Sequence, residues 1–241
     1  MKRLWLFSVI LISLLFLGWY WLLPRAHPLH LKSSHHLVGL IDTTRARQLK
    51  IAPQLLPYLS LLSQPEHRVA NQQKISDLLK SDAQVEFGLG APLSELELLT
   101  ETSEIIAAPA TRSLPSTAML VWQNTPQAYL LIHATPGKNL LQPGPARRWF
   151  GSVLNKNISE APSVTLAIGE TENAVIVTLA LEFDSAAQAV AALNELAKPS
   201  PNESFAFILQ PGAKQITQQS KLVVVRFDLP SSWVLQAIRS R

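Results

Sequence analysis

Cysteine is missing from all 241 residues. Its absence excludes disulfide staples, thiolate metal sites, a cysteine nucleophile and lipid attachment through a cysteine. A chain of this length can bury a core without such staples. A strong charge bias is missing too. The sequence has 21 Lys and Arg against 17 Asp and Glu, a net charge of +4. No basic run with interleaved aromatics appears, so nucleic acid is not an expected partner.

The usual catalytic signatures are also lacking. There is no Gly-x-Ser-x-Gly elbow and no His-Glu-x-x-His pair. "GLGAP", Gly88 to Pro92, resembles a dinucleotide loop only in part, because Leu93 stands where the third glycine belongs. "PGKN", residues 136–139, ends in Asn where a phosphate loop needs Ser or Thr. These absences point to no cofactor and to a protein that is not an enzyme.

One long uncharged run is present. "LWLFSVILISLLFLGWYWLLP" holds twenty residues without a charge, Leu4 to Leu23, and then Pro24. A helix of twenty residues is about 30 Å long, close to the hydrocarbon thickness of a bilayer. A secretory signal core is shorter, about 7–15 residues, and ends in a small-residue site. Here the end is Trp19-Tyr20-Trp21, and Gly18 is the only small residue near it. Trp5 at one end and Trp19, Tyr20 and Trp21 at the other form two interfacial belts. The run therefore reads as a retained, single-pass anchor in the lipid bilayer. Lys2, Arg3 and the α-amine lie before it, and Arg25 and Lys32 after it, a slight positive-inside bias. The expected location is a bacterial-type inner membrane, with residues 1–3 cytoplasmic and residues 24–241 periplasmic. The part beyond the tail carries 19 basic and 17 acidic residues, close to neutral.

Residues 24–36, "PRAHPLHLKSSHH", read as a juxtamembrane linker. Residues 37–115 read as a mainly helical first part. "HLVGLIDTT" is a strand entering a turn, and Pro53 and Pro57 break the next stretch into two short helices. "PEHRVANQQKISDLLKSD" has a rough helical face of Val69, Gln73, Ile75 and Leu78-Leu79. "PLSELELLTE" suggests a short helix with Ser94 as N-cap and Glu97 completing a capping box.

Residues 116–241 read as antiparallel α+β. "STAMLVWQ" and "QAYLLIHA" suggest a hairpin. "AVIVTLALEF" alternates Val175, Val177, Leu179, Leu181 and Phe183 on one face. "SFAFILQ" and "KLVVVRFD" alternate likewise, the latter through Val223, Val225 and Phe227. Second strands start near Gln127, Ala174 and Lys221, 47 residues apart each time, which raises a repeated ββα unit. The expected fold is an α+β domain with an antiparallel sheet and helices on one face, behind a single transmembrane helix.

Three groups of side chains are candidates for chemistry. Asp42, Asp184 and Asp228 sit where strands end and helices begin, and a carboxylate there is read as an N-cap. Ser185 with Gln188 completes a capping box. His27, His30, His35 and His36 cluster in the linker, dense enough to consider zinc, copper or nickel. No Cys or acidic residue lies among them, and a solvated linker without metal is the expectation. Glu95, Glu97, Glu101 and Glu104 could contribute paired carboxylates for sugar chemistry, but at helical spacing Glu97, Glu101 and Glu104 share a face, which is ordinary for a solvated surface.

The function these features suggest is a membrane-anchored, non-enzymatic binding, scaffold or assembly factor of the cell envelope. Its expected partner is another membrane or envelope protein. The alternatives are an envelope hydrolase acting on cell-wall or lipid material, and a carrier of an apolar ligand.

Overall fold

The computed structural model describes residues 25–31, 35–62, 65–81, 83–89, 96–100, 110–141, 153–198 and 214–239. The anchor with Trp5, Trp19, Tyr20 and Trp21 lies outside them, as do Glu95, Glu101, Glu104 and "SFAFILQ". Among the described residues no helix is long and apolar enough to cross a membrane.

The centre is an eight-stranded sheet. Its strands are β2 (Leu37–Asp42), β3 (Gln84–Leu89), β4 (Leu96–Thr100), β6 (Ala128–Ala134), β7 (Ser163–Glu170), β8 (Ala174–Glu182), β9 (Lys214–Gln219) and β10 (Leu222–Pro230). They lie in the order β4-β3-β2-β6-β7-β8-β10-β9, and every pair is antiparallel. A separate ribbon pairs β1 (His27–Leu29) with β5 (Arg112–Leu114).

Seven helices accompany the sheet among the described residues. They are α1 (Thr43–Gln48), α2 (Ala52–Leu55), α3 (Arg68–Leu78), α4 (Ser116–Asn124), α5 (153–160), α6 (Ala186–Ala197) and α7 (Ser231–Arg239). The architecture is thus α+β with an antiparallel sheet.

Period-two alternation gives the sheet two apolar faces. The larger core gathers Leu37, Ile41, Phe87, Ile132, Leu179 and Phe227 under α1, α2, α5 and α6. The smaller core gathers Val38, Leu40, Leu131, Ala167 and Ala180 on the opposite face. Ala118 and Val121 of α4 cover it, together with Leu29, Leu31 and Leu114. Helices therefore pack on both faces, not on one. The sheet has two apolar sides because neighbouring residues of β2 are both buried, and a one-sided sheet would leave Val38 and Leu40 in water.

Other local expectations change for related reasons. "STAMLVWQN" is the helix α4, not a strand. A short apolar run does not declare its period. Ala118, Val121 and Thr125 are buried at i, i+3 and i+7, and the Thr125 hydroxyl donates back to the Val121 carbonyl at 2.8 Å. Among the described residues of 116–239 the strand–strand–helix pattern thus occurs twice, at β7-β8-α6 and β9-β10-α7, not three times. "LELLT", Leu96–Thr100, is the edge strand β4, not a helix, and the Ser94 cap lies outside the described residues. Its Leu96 is buried and pairs with Leu89 of β3. Val69 of α3 is 80% exposed, and the inward positions there are Asn71 and Ile75.

Residues 27–31 form no free linker. Leu29 and Leu31 are fully buried, and the β1–β5 ribbon holds them there. Two apolar side chains in an otherwise polar stretch gain more from the sheet face than from water.

Candidate functional site

The four linker histidines divide once the chain folds. His36 is exposed at the entry to β2. His30 and His35 lie over the second face of the sheet, where β2, β3 and β4 run side by side. In the β2–β3 register Leu40 pairs with Glu86 and Val38 pairs with Gly88. Gly88 pairs in turn with Glu97 of β4.

Glu86 is buried to 1% exposure. Its two oxygens take the His30 amide at 2.7 Å and meet His30 Nδ1 at 3.0 Å. His35 lies flat on the strand because residue 88 has no side chain. A Cβ there would sit 2.7 Å from the imidazole ring. His35 Nε2 is 3.0 Å from Glu97 Oε2, an ion-pair distance outside hydrogen-bond alignment.

Arg112 of β5 donates to the His35 carbonyl. Thr111 donates its amide to the Leu29 carbonyl at 2.9 Å and its hydroxyl to the Leu31 carbonyl. His133, opposite Val38 on β6, shares the same sheet face. Its Nδ1 lies 3.0 Å from the Thr165 hydroxyl and its Nε2 3.1 Å from the Thr135 hydroxyl. Burial, then the Arg112 charge, pushes this imidazole down to about 4. His133 is therefore neutral near pH 7, with one ring nitrogen donating and the other accepting.

These groups answer one another. Among the described residues no three His, Asp or Glu side chains assemble to hold a metal ion. The site joins the segment that follows the apolar run to the body of the sheet.

A second buried carboxylate serves the opposite end of the sheet. Glu170 ends β7 and is 3% exposed. Its Oε1 accepts from the Lys50 and Ile51 amides, and its Oε2 from the Ile51 and Ala52 amides, all at 3.0 Å. Three consecutive N–H groups aimed at one carboxylate stabilise its charge and pin the α1–α2 corner. Tyr129 is fully buried, and its hydroxyl has no hydrogen-bond partner among the described residues. Burial, then the Glu170 charge, holds that phenol well above its usual range. It sits where β6 slips register against β7, between Ala128 and Leu130.

The proposed caps fall out unequally. Asp42 is the N-cap of α1, and its Oδ1 accepts the Arg45 amide at 2.8 Å. Ser185 is the N-cap of α6, in a full capping box with Gln188 at 3.2 Å in both directions. Asp184 is exposed and does not cap, because the residue after it already fills that place. Asp228 is not a cap either. Strand β10 runs on past it to Pro230, and its carboxylate takes Arg226 Nε at 2.8 Å instead.

Sequence reading missed Glu86, Glu170, Arg112 and Tyr129 as structural partners. Glu86 had a signal in its position, since it interrupts the apolar run of "QVEFGL". Glu170 had none, because its partners are backbone amides 118–120 residues away.

No family model matches the chain. No curated protein matches it either. Among solved structures it is similar to one described as "Structure of crystal form I of TP0453", with a TM-score of 0.44 and 10% identity. That likeness covers 90% of this chain and 98% of the other. It is too distant to carry any statement about function.

Proposed function

We propose that this protein is a membrane-tethered binding or assembly factor of a cell envelope, with its folded domain on the periplasmic side of an inner membrane and no catalytic role. The observation that carries the reading is the uncharged run Leu4–Leu23, sized for a bilayer and bounded by Trp5 and by Trp19, Tyr20 and Trp21. A tether of this kind confines the domain to a thin layer and raises its effective concentration for other membrane-bound proteins.

The side-chain chemistry supports the non-enzymatic part. Glu86, Glu97, Glu170, His30, His35 and His133 each face a named partner within the fold. A general base or nucleophile needs a reaching side chain aimed at substrate, and these are aimed at the protein's own backbone and side chains. The partner in this reading is another membrane or envelope protein.

Affinity capture from detergent-solubilised membranes tests it. The full-length chain should retain a membrane-protein partner that a chain lacking residues 1–23 recovers at least severalfold less well. Equal recovery of the same partner by both would contradict a tether-dependent role.

A further inference from the structure

Residues 25–31 form a strap bound into the second face of the sheet. We infer that the β1–β5 ribbon and the start of α4 form the membrane-facing surface, held against the headgroups of an anionic bilayer. This rests on the reading of Leu4–Leu23 as a retained anchor, and it goes beyond it.

Chain length comes first. Only four peptide steps separate Leu23 from His27, the first residue of β1. Fully extended, four residues reach about 14 Å. A domain on so short a lead cannot swing freely, provided that the lead is bound into the fold where it arrives.

It is bound there. His27, Pro28 and Leu29 pair with Leu114, Ser113 and Arg112. Leu29 and Leu31 are fully buried against Val38, Leu40 and Leu131. The His30 amide is held by buried Glu86, and the Leu29 and Leu31 carbonyls by Thr111. Releasing the strap would expose two leucines and strip a buried carboxylate of its partner, both unfavourable. The chain therefore leaves the bilayer and enters the core of the sheet within a few residues.

Surface chemistry agrees with the placement. The outward residues around the strap are Arg25, Pro28, Ala110, Thr111, Ser113 and Ser116. They are small or basic, and none of these described residues is acidic, while the nearby carboxylates Glu86 and Glu97 are turned to His30 and His35. The described part of this surface, without acidic groups, can approach anionic headgroups without repulsion.

The sheet supplies a far reference point. His30 sits level with Glu86, and His35 two residues further along β3 at Gly88, towards the end where β2 begins. Ser220, in the β9–β10 turn, lies at the end where β2 begins and four strands across from it. Four strand spacings are about 19 Å.

The native chain has no cysteine, so single labels are clean. Full-length Ser113→Cys and Ser220→Cys are placed in vesicles of phosphatidylethanolamine and phosphatidylglycerol. Each is labelled from outside with an impermeant fluorophore, and quenching by a headgroup nitroxide lipid is read. At the distances above, the label at 113 should be quenched about threefold or more over the label at 220. Inserting about a dozen Gly and Ser residues between Pro24 and Arg25 adds ~19 Å of flexible reach, and should bring the ratio towards one. Alkaline extraction of the same vesicles separates the two claims. Release of the protein by alkali would overturn the anchor reading and the pose with it. Retention with equal quenching at both positions, or with a ratio untouched by the insertion, would overturn the pose alone.

Discussion

His133 makes the stability of the domain depend on acid. Its folded value, about 4, lies below the ordinary imidazole value of 6.5, because burial and the Arg112 charge disfavour the protonated ring. Between those two values the unfolded chain binds more protons, so stability rises with pH. The contribution is complete above pH 6.5, is lost as pH falls through the window, and levels off below about 4. It amounts to at most about 3 kcal/mol. Urea unfolding at pH 7 and pH 4.5 should show this loss in the native chain, and His133→Asn should lack the His133 component. An identical pH dependence in the variant would contradict the assignment. Glu170 gives a second residue-scale outcome. Glu170→Ala strands three amides, those of Ile51 and Ala52 buried, and should cost about 3 kcal/mol or more by chemical denaturation. Glu170→Gln keeps an acceptor but brings an NH2 against those donors, and should fall between the two.

At the scale of elements, the sheet allows no side chain at one of its central positions. A Cβ on Gly39 of β2 would lie 1.9 Å from the Leu131 carbonyl oxygen of β6 and 2.5 Å from the Phe87 ring. Phe87 can shift a little, but the paired backbone cannot do so without parting the strands. Gly39→Ala should therefore fold poorly, read as loss of soluble protein or a fall of several kcal/mol in unfolding free energy. The strap makes a contrasting case. Leu29→Ala should cost about 2–5 kcal/mol while leaving the large core intact, because Leu29 belongs to the smaller core alone. Retention of native stability in that variant would mean that the strap is not bound as described.

Elements were legible in the sequence where period and length agreed. Val175, Leu179 and Leu181 alternate over nine residues, and β8 is where that pattern puts it. The capping box at Ser185 and Gln188 needs only four consecutive residues, so local sequence suffices. "STAMLVWQN" misleads because its apolar residues are contiguous, and only the uncovered second face of the sheet decides for a helix. The strap misleads for a similar reason. Two leucines among prolines and histidines carry no period, and their burial depends on Val38, Leu40 and Leu131 being free on that face. Asp228 shows the limit of the strand–Asp–helix pattern, because β10 outlasts it by two residues. The histidine–carboxylate pairs join positions 56 and 62 residues apart, beyond any local pattern.

For the whole molecule, the proposed tether would join the bilayer-sized run Leu4–Leu23 to the antiparallel domain through a short lead. The central proposal is that tether, with the domain on the exported side. The direct measurement is protease accessibility in sealed spheroplasts that carry the full-length protein, followed with an antibody to the C-terminus. External protease should remove the C-terminal epitope, while the membrane pellet keeps a small fragment containing residues 4–23. A full-length band that survives until the membrane is broken would contradict the account.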